Sequence, residues 1–224
     1  MKKASPLVIF QKVLQKVPFT PVDVNCLHCL EYVCGPSGEP TRCPGEVEVR
    51  QGTPADLEKM TACQNFPERL PERFASNEHC VVATLGGEVI GYQWFCEKGS
   101  RIEERYSYAV EIPRDALYGY DAFVVAKYRR AKIWSRFHTG YLQGLLARLN
   151  RRRIIVMVDE GNTASMSAHL RLGYKLYRKV YVAKIFGKSS WFAKTINRGE
   201  GTAHPLSPIG AVDRHSGNVS HIVP

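Results

Sequence analysis

Residues 156–175 read VMVDEGNTASMSAHLRLGYK, and they join the end of a strand to a short helix and the start of another strand. The apolar run at 153–158 predicts a buried strand. Asn162 is a residue type that caps helix N-termini, and the predicted helix covers residues 164–172. Residues 174–185 predict the following strand. This strand–helix–strand unit is the part of the chain that most strongly indicates its fold.

Upstream, residues 124–137 read VVAKYRRAKIWSRF. A strand-like run ends at Ala126, four cations follow within six residues, and a helix pattern then runs to about residue 150. The span from Lys127 to Arg153 holds nine Lys or Arg residues and no Asp or Glu. With a net charge of +10 for the whole chain, this block favours an anionic partner such as a phosphorylated cofactor, nucleic acid or an acidic membrane surface.

The preceding region alternates strands and helices. Residues 46–50 alternate charged and apolar side chains, as a half-buried strand does. Thr53 followed by Pro54 predicts a helix start, and a second short helix is expected within 67–75. Gly86-Gly87 lies between two apolar runs and predicts a hairpin. The order of elements indicates an α/β or α+β domain with a mixed sheet.

Composition excludes several protein classes. The chain has 224 residues, 44% of them hydrophobic, so one domain with extensions can bury a sizeable core. The sequence contains no run of about 18 consecutive apolar residues, so no membrane-spanning helix is predicted. The first 16 residues do not resemble a signal peptide. Seven cysteines in a chain of this size favour reduced thiols and a cytoplasmic protein.

Three regions are predicted along the chain: an N-terminal extension (1–45), a main domain (46–196) and a flexible C-terminal tail (197–224). In the extension, residues 6–17 predict an amphipathic helix, which either packs on the domain or lies on a membrane surface. Residues 22–34 are expected to be extended.

Three features together make the segment from residue 46 to about 185 resemble the GNAT superfamily of acyl-CoA-dependent N-acetyltransferases. The stretch VRQGTPADLEKM (49–60) is similar to the opening strand and helix of that family, and ATLGGEVIGYQWF (83–95) to its second and third strands. The third feature is the basic turn with the strand–helix unit. In that unit five residues match the family's spacing: Asn162, Ser165, His169, Gly173 and Tyr174. The resemblance implies a mostly antiparallel sheet flanked by helices, with splayed fourth and fifth strands.

The resemblance also implies an acyl-CoA cosubstrate, acetyl-CoA or another acyl-CoA. Backbone groups around Phe123, Val124 and Val125 would bind the pantetheine arm and the thioester oxygen. The turn would hold the pyrophosphate on main-chain amides, through the run Arg129, Arg130, Ala131, Lys132, Ile133 and Trp134. Lys132 and Trp134 stand where the family has glycines, which let the backbone approach the phosphates closely. Either the cations of the turn compensate through charge-assisted contacts with the phosphates, or Trp134 blocks the pyrophosphate groove.

The reaction implied is direct transfer of the acyl group to an amine. His169 occupies the position of the family's usual tyrosine acid, and it can donate a proton near neutral pH; the alternative is a histidine that only packs against the sheet. Asp121 is the expected base, with Glu111, Asp159 and Glu160 as rivals. Asn162 is expected to orient the cofactor or to cap its helix.

Other interpretations stay open. A GNAT-fold binding or regulatory module without turnover is the main alternative, and nucleic-acid binding by the interleaved aromatic and basic residues is a weaker one. Cys26, Cys29, Cys34 and Cys43 lack a second metal-binding pair, so no metal is expected. The acceptor, a small-molecule or sugar amine, would bind near residues 64–78 and 97–117, where four charged residues lie: Arg101, Glu103, Glu104 and Arg105. A homodimer is also compatible with the sequence.

Overall fold

The structure is a computed structural model that describes residues 13, 22–34, 46–63, 69–76, 78–97, 99–129, 132–186 and 188–196, with only the backbone at residues 139 and 140. Its strands are β1 (Val22–Val33), β2 (Glu48–Gln51), β3 (His79–Leu85), β4 (Glu88–Cys96), β5 (Ser100–Glu103), β6 (Tyr108–Glu111), β7 (Ala116–Val124), β8 (Arg153–Asp159), β9 (Lys175–Ile185) and β10 (Lys188–Thr195).

Eight of these strands form one sheet in the order β10-β9-β1-β8-β7-β4-β3-β2. The pairing of β7 with β8 is parallel, whereas the other pairs are antiparallel. The predicted hairpin joins β3 to β4 through Gly86 and Gly87, which both adopt positive φ. The expectation of a mixed, mostly antiparallel sheet flanked by helices is confirmed.

The predicted boundary at residue 46 does not separate two structural units. β1, which was assigned to the N-terminal extension, lies inside the sheet and pairs with β8 on one side and β9 on the other. Its central residues are buried from Asn25 to Leu30. An apolar strand satisfies its backbone groups on both edges by entering the sheet, so residues 22–33 belong to the main domain.

Helices cover both faces of the sheet. On one face lie α1 (Leu57–Cys63) and α2 (Arg69–Ala75), which bury Met60 and Leu70. On the other, a continuous helix is made of α3 (Ile133–Arg136), a π-helical stretch (Phe137–Leu142) and α4 (Gln143–Arg148). The last of the described helices is α5 (Thr163–Arg171).

Aromatic residues that interleave with the basic block pack largely inward. Phe137 is fully buried, and Tyr128, Trp134 and Tyr141 are partly buried against the same core cluster. Core packing therefore accounts for their helical spacing without a stacking surface for nucleic acid.

Two features of the fold were missed from the sequence. Residues 97–117 contain the separate hairpin β5–β6, and β10 forms the edge of the main sheet beyond β9. Of the predicted N-terminal helix, Val13 alone lies within the described residues, where it is helical and exposed. The predicted C-terminal tail lies outside them. Among the helices described, none is long and apolar enough to cross a membrane.

Candidate functional site

A cleft opens where β7 and β8 diverge. The two strands pair from Ala116–Arg153 to Gly119–Val156, and the pairing then stops although both strands continue. The gap forms a cleft of about 170 Å³. Twelve residues line it: Gln93, Gly119, Tyr120, Asp121, Ala122, Val156, Met157, Val158, Asp159, Asn162, Ser165 and His169. The expected splay of the family's fourth and fifth strands is therefore present, as β7 and β8.

A bulge in β7 places Asp121 in this cleft. Between Trp94–Tyr120 and Tyr92–Phe123 the register of β7 shifts against β4, and Asp121 has a φ of 37°. The extra residue of a bulge redirects the side chains around it. Asp121 forms an ion pair with Arg73 of α2, so one of its oxygens already has a charged partner.

His169 reaches the cleft from the last turns of α5. Its ring is buried, and Nδ1 lies 2.9 Å from the Ser165 carbonyl oxygen. A carbonyl only accepts hydrogen bonds, so Nδ1 carries the proton and Nε2 keeps its lone pair in the neutral ring. Burial lowers the pKa of His169, because the charged form is poorly solvated there. The neutral ring is therefore favoured near neutral pH, with Nε2 as its proton-accepting atom, and the acid role predicted from the sequence stays a prediction.

Asn162 caps α5, one of the two roles considered for it. Its side-chain oxygen accepts a hydrogen bond from the Ser165 amide, 3.1 Å away, which satisfies one of the donors left unpaired at a helix start. The same residue lines the cleft. Capping and cleft lining thus meet in a single side chain.

Gln93 is a cleft residue that sequence reasoning missed. It lies on β4 with its side chain 2% exposed, and its amide oxygen has no hydrogen-bond partner among the described residues. A buried unpaired acceptor is costly, and a ligand donor in the cleft would satisfy it. The signal in the sequence was one polar residue within the apolar run of β4.

In the basic turn, Lys132 and Trp134 replace the family's glycines, and Lys132 keeps a glycine-like backbone. Lys132 adopts φ 54° and ψ 30°, the left-handed conformation, which glycine adopts without steric cost. Trp134 lies outside the cleft lining and packs edge-on against Phe137, with ring centroids 5.2 Å apart. Arg129 is exposed and donates from Nε to the Val124 carbonyl. Arg130 and Ala131 lie outside the described residues.

The expected pantetheine-binding residues follow the bulge. Phe123 pairs with Tyr92 and Val124 with Gly91 across the β4 edge of β7, and the Val125 amide donates to the Ile90 carbonyl. The opposite edge of this segment faces the gap left by β8. Ile133 is buried in the core below the turn.

Charged and aromatic groups meet beside the cleft, from the segments expected to hold the acceptor. Arg101 pairs with Glu78 at 2.6 Å and stacks over the ring of Tyr120, 3.4 Å from its centroid. The Tyr120 hydroxyl donates to Glu78 in turn. Tyr118 donates to Glu103 at 2.7 Å. Glu104 instead forms an exposed pair with Arg69.

Of the rival bases, only Asp159 lines the cleft. Its carboxylate accepts from the Tyr106 hydroxyl at 2.9 Å and from the Gly161 amide at 2.7 Å. Glu160 is directed toward His28 and Lys179. Glu111 lies on β6, outside the cleft lining.

Comparisons with known proteins support the fold. No family model matches the sequence, and no curated protein matches it either. Among solved structures, a GCN5-related N-acetyltransferase from Sphaerobacter thermophilus is similar with a TM-score of 0.52 at 15% identity, over 79% of this chain and 53% of that one.

Two further structures are similar. A conserved protein of unknown function from Staphylococcus epidermidis has a TM-score of 0.51 at 13% identity, over 82% of this chain and 69% of that chain. The aminoglycoside N-acetyltransferase AAC(6')-Iy, solved in complex with CoA, has a TM-score of 0.47 at 16% identity, over 57% of this chain and 91% of that chain. The chain has the GNAT fold, as its sequence predicted.

Proposed function

We propose that this protein transfers an acyl group from acyl-CoA to an amine, in the cleft between β7 and β8. The observation that carries the proposal is the cleft itself. It opens between β7 and β8, the one parallel pair among the described strands of the main sheet, and it is lined by His169, Asp121 and Gln93, whose amide oxygen is unpaired among the described residues. An extended pantetheine arm fits a gap between two strands because it can bond to backbone groups as a further strand would.

Proton transfer is assigned to His169. Its neutral Nε2 accepts a proton from the amine nitrogen as that nitrogen bonds to the thioester carbon. The carbon–sulfur bond then breaks, and the protonated ring returns the proton to the CoA thiolate. The first proton of the incoming ammonium leaves to water or to a cleft carboxylate. The acid role expected for His169 thus follows its role as acceptor in one cycle.

Two carboxylates in the cleft favour a cationic acceptor. Asp121 and Asp159 both line it. Beside it, Glu78 and Glu103 accept hydrogen bonds from tyrosine hydroxyls. Arg73 and Arg101 neutralise part of this charge. We assign Asp121 to holding the ammonium and, through it or water, to removing the first proton. An amine of a small metabolite or sugar fits this lining.

Cofactor phosphates are assigned to the basic turn. Arg129 and Lys132 are exposed there, and the amides at the start of the helix that begins at Ile133 have no partners within that helix. Arg130 and Ala131 complete the same run in sequence. The left-handed Lys132 keeps the backbone turn that a glycine would give.

Calorimetric titration with acetyl-CoA tests the proposal, combined with release of free CoA thiol from a panel of aminosugars and diamines. Ala122 is an exposed cleft residue, so Ala122→Trp fills the cleft without disturbing the core. Ala193→Trp, at an exposed position of β10, is the matched control. We expect Ala122→Trp to abolish acetyl-CoA binding and Ala193→Trp to keep it. Absence of binding to the unmodified protein at millimolar acetyl-CoA would refute the proposal.

A binding module without turnover is the second candidate, because Lys132 and Trp134 stand where the family's pyrophosphate-binding turn has glycines. The same assays separate the two. Saturable acetyl-CoA binding without release of CoA thiol in the presence of any amine in the panel would support the binding module and exclude the transferase proposal.

A further inference from the structure

A second polar cluster lies on the other side of β8. Cys26 and His28 are two residues apart on β1, so their side chains project from the same face of the strand. Glu160 reaches them from the loop between β8 and α5, and its amide donates to the Cys26 carbonyl at 2.8 Å. Strand pairing and this hydrogen bond fix the three residues relative to one another.

The three side chains offer ligand atoms at close range. The Cys26 sulfur, a His28 ring nitrogen and a Glu160 carboxylate oxygen all lie within 4.8 Å of one another. His28 Nε2 is 3.7 Å from Glu160 Oε1. Cys26 is 1% exposed and His28 8%, so bulk water has little access to this cluster.

His28 supplies an independent observation that points to a ligand. Both of its ring nitrogens are buried, and neither has a hydrogen-bond partner among the described residues. Buried polar nitrogens are normally paired, and each exception calls for a physical explanation. A bound cation would satisfy one of the two nitrogens of this ring.

We propose that Cys26, His28 and Glu160 form a binding site for Zn²⁺. Thiolate, imidazole and carboxylate are the ligands that zinc takes in proteins, and three of them with a water molecule complete a tetrahedron. Zinc–ligand bonds of about 2.0–2.3 Å place ligand atoms about 3.3–3.8 Å apart. The His28–Glu160 distance of 3.7 Å already lies in this range, and all three ligand atoms lie within 4.8 Å of one another.

Lys179 is the competing cation in the metal-free chain. Its ammonium lies 3.8 Å from Glu160 Oε1, and its side chain is 25% exposed. It balances the carboxylate charge when no metal is bound. Because the side chain is long and reaches solvent, it can move away as zinc takes its place.

The site differs from the metal pattern considered in the sequence. Cys26 and Cys29 are three residues apart on a strand, so they project from opposite faces. Cys29 packs against Val180 and Val182 in a separate apolar cluster. A C-x2-C pair on this strand cannot converge on one ion, whereas Cys26 and His28 can.

Zinc at this position would tie β1 to the loop between β8 and α5. Glu160 stands between Asp159 and Asn162, which both line the acyl-transfer cleft. The metal would therefore fix the loop that carries the helix cap and one cleft carboxylate. The site itself uses no cleft residue, so it does not depend on the proposed enzymatic function.

Titration of the reduced, chelator-treated 224-residue chain with Co²⁺, followed by competition with Zn²⁺, tests the site. We expect one equivalent to bind, with a thiolate-to-cobalt charge-transfer band in the near ultraviolet that Zn²⁺ abolishes. Cys26→Ser should lose the band, whereas Cys29→Ser, the matched control, should keep it. Retention of the band in Cys26→Ser, or the absence of any band in the unmodified protein, would overturn the proposal.

Glu160→Gln gives a test that avoids the buried strand. We expect it to weaken Co²⁺ roughly 100-fold, since even outer-shell partners of metal ligands contribute about 10–100-fold. Unchanged affinity in this variant would remove Glu160 and with it the three-ligand site. Acetyl-CoA titration of the metal-free protein is read separately, so failure of the metal site and failure of the transferase proposal remain distinguishable.

Discussion

The two edges of β8 behave differently. On one edge β1 stays paired with β8 from Val33–Arg153 as far as Leu27–Asp159. On the other edge β7 leaves it after Gly119–Val156. The paired edge is buried from Asn25 to Leu30 and holds the Cys26–His28–Glu160 cluster, whereas the open edge carries the cleft with His169 and Asp121.

This difference shows how one strand can serve stability and function at once. Continuous antiparallel pairing satisfies every backbone group it reaches, so the β1 edge anchors the sheet. Early release of β7 leaves backbone groups without strand partners, and such groups suit a ligand that enters as an extended chain. The proposed zinc site reinforces the paired edge, and the proposed acyl-CoA site uses the open one.

Removal of the paired edge should have the largest effect. A chain that begins at Glu46 lacks β1, so β8 and β9 lose the strand that separates and pairs them. We expect no cooperative thermal unfolding by circular dichroism. As a control, a chain that ends at residue 187 loses, of the described strands, β10 alone, together with residues 197–224, and it should still unfold cooperatively at a lower temperature. Native-like unfolding of the Glu46 chain would show that β1 is dispensable.

Loss of the proton acceptor on the open edge should come next. We expect His169→Phe to lower turnover about 100-fold, the lower end of the range for general acid–base catalysis, while acetyl-CoA affinity stays within a few-fold. In the unmodified protein the acidic limb of the rate profile should lie below the usual histidine pKa, because burial lowers the pKa of His169 and the proposed transfer uses the neutral ring. A rate that the substitution leaves unchanged would clear His169 of proton transfer.

A side chain added at Gly119, the last residue of β7 that pairs with β8, should have a smaller effect. A Cβ at Gly119 would lie 2.8 Å from the Gln93 amide nitrogen and 3.1 Å from Val156 Cγ1. We expect Gly119→Val to lower the free energy of unfolding by about 2 kcal/mol through overpacking, measured by urea denaturation. Gly144→Ala is the control, since a Cβ there meets nothing within 4 Å and should stabilise the helix by up to about 1 kcal/mol. Equal stability of the two variants would show that the point where β7 and β8 separate accommodates a larger side chain at Gly119.

The basic turn should give the smallest effect. We expect the double variant Arg129→Ala, Lys132→Ala to weaken CoA binding about 10-fold by loss of charge-assisted contacts. Binding of pantetheine, which lacks the CoA phosphates, should hardly change. Calorimetry with both ligands measures the difference. The same loss for both ligands would assign the two cations to something other than the phosphates.

The sequence predicted the elements with strong local signals. The hairpin at Gly86-Gly87, the helix start after Thr53 and the cap at Asn162 depend on neighbouring residues. Each was found, and after Thr53 a 3₁₀ turn (Pro54–Asp56) leads directly into α1. The position of β1 was not predictable, because it depends on pairing with strands far along the chain. The bulge at Asp121, the tautomer of His169 and the Cys26–His28–Glu160 cluster arise from tertiary contacts that no local pattern encodes.

The central position of β1 also sets the timing of folding during synthesis. Its partners β8 and β9 are made late, and β9 ends at Ile185. At roughly 5–20 residues per second, the strand waits on the order of ten seconds on the ribosome before either neighbour exists. During that interval its apolar face and two cysteines remain exposed, so a nascent-chain chaperone and a reducing environment should raise the yield of this protein more than they would for a chain whose first strand lies at the sheet edge.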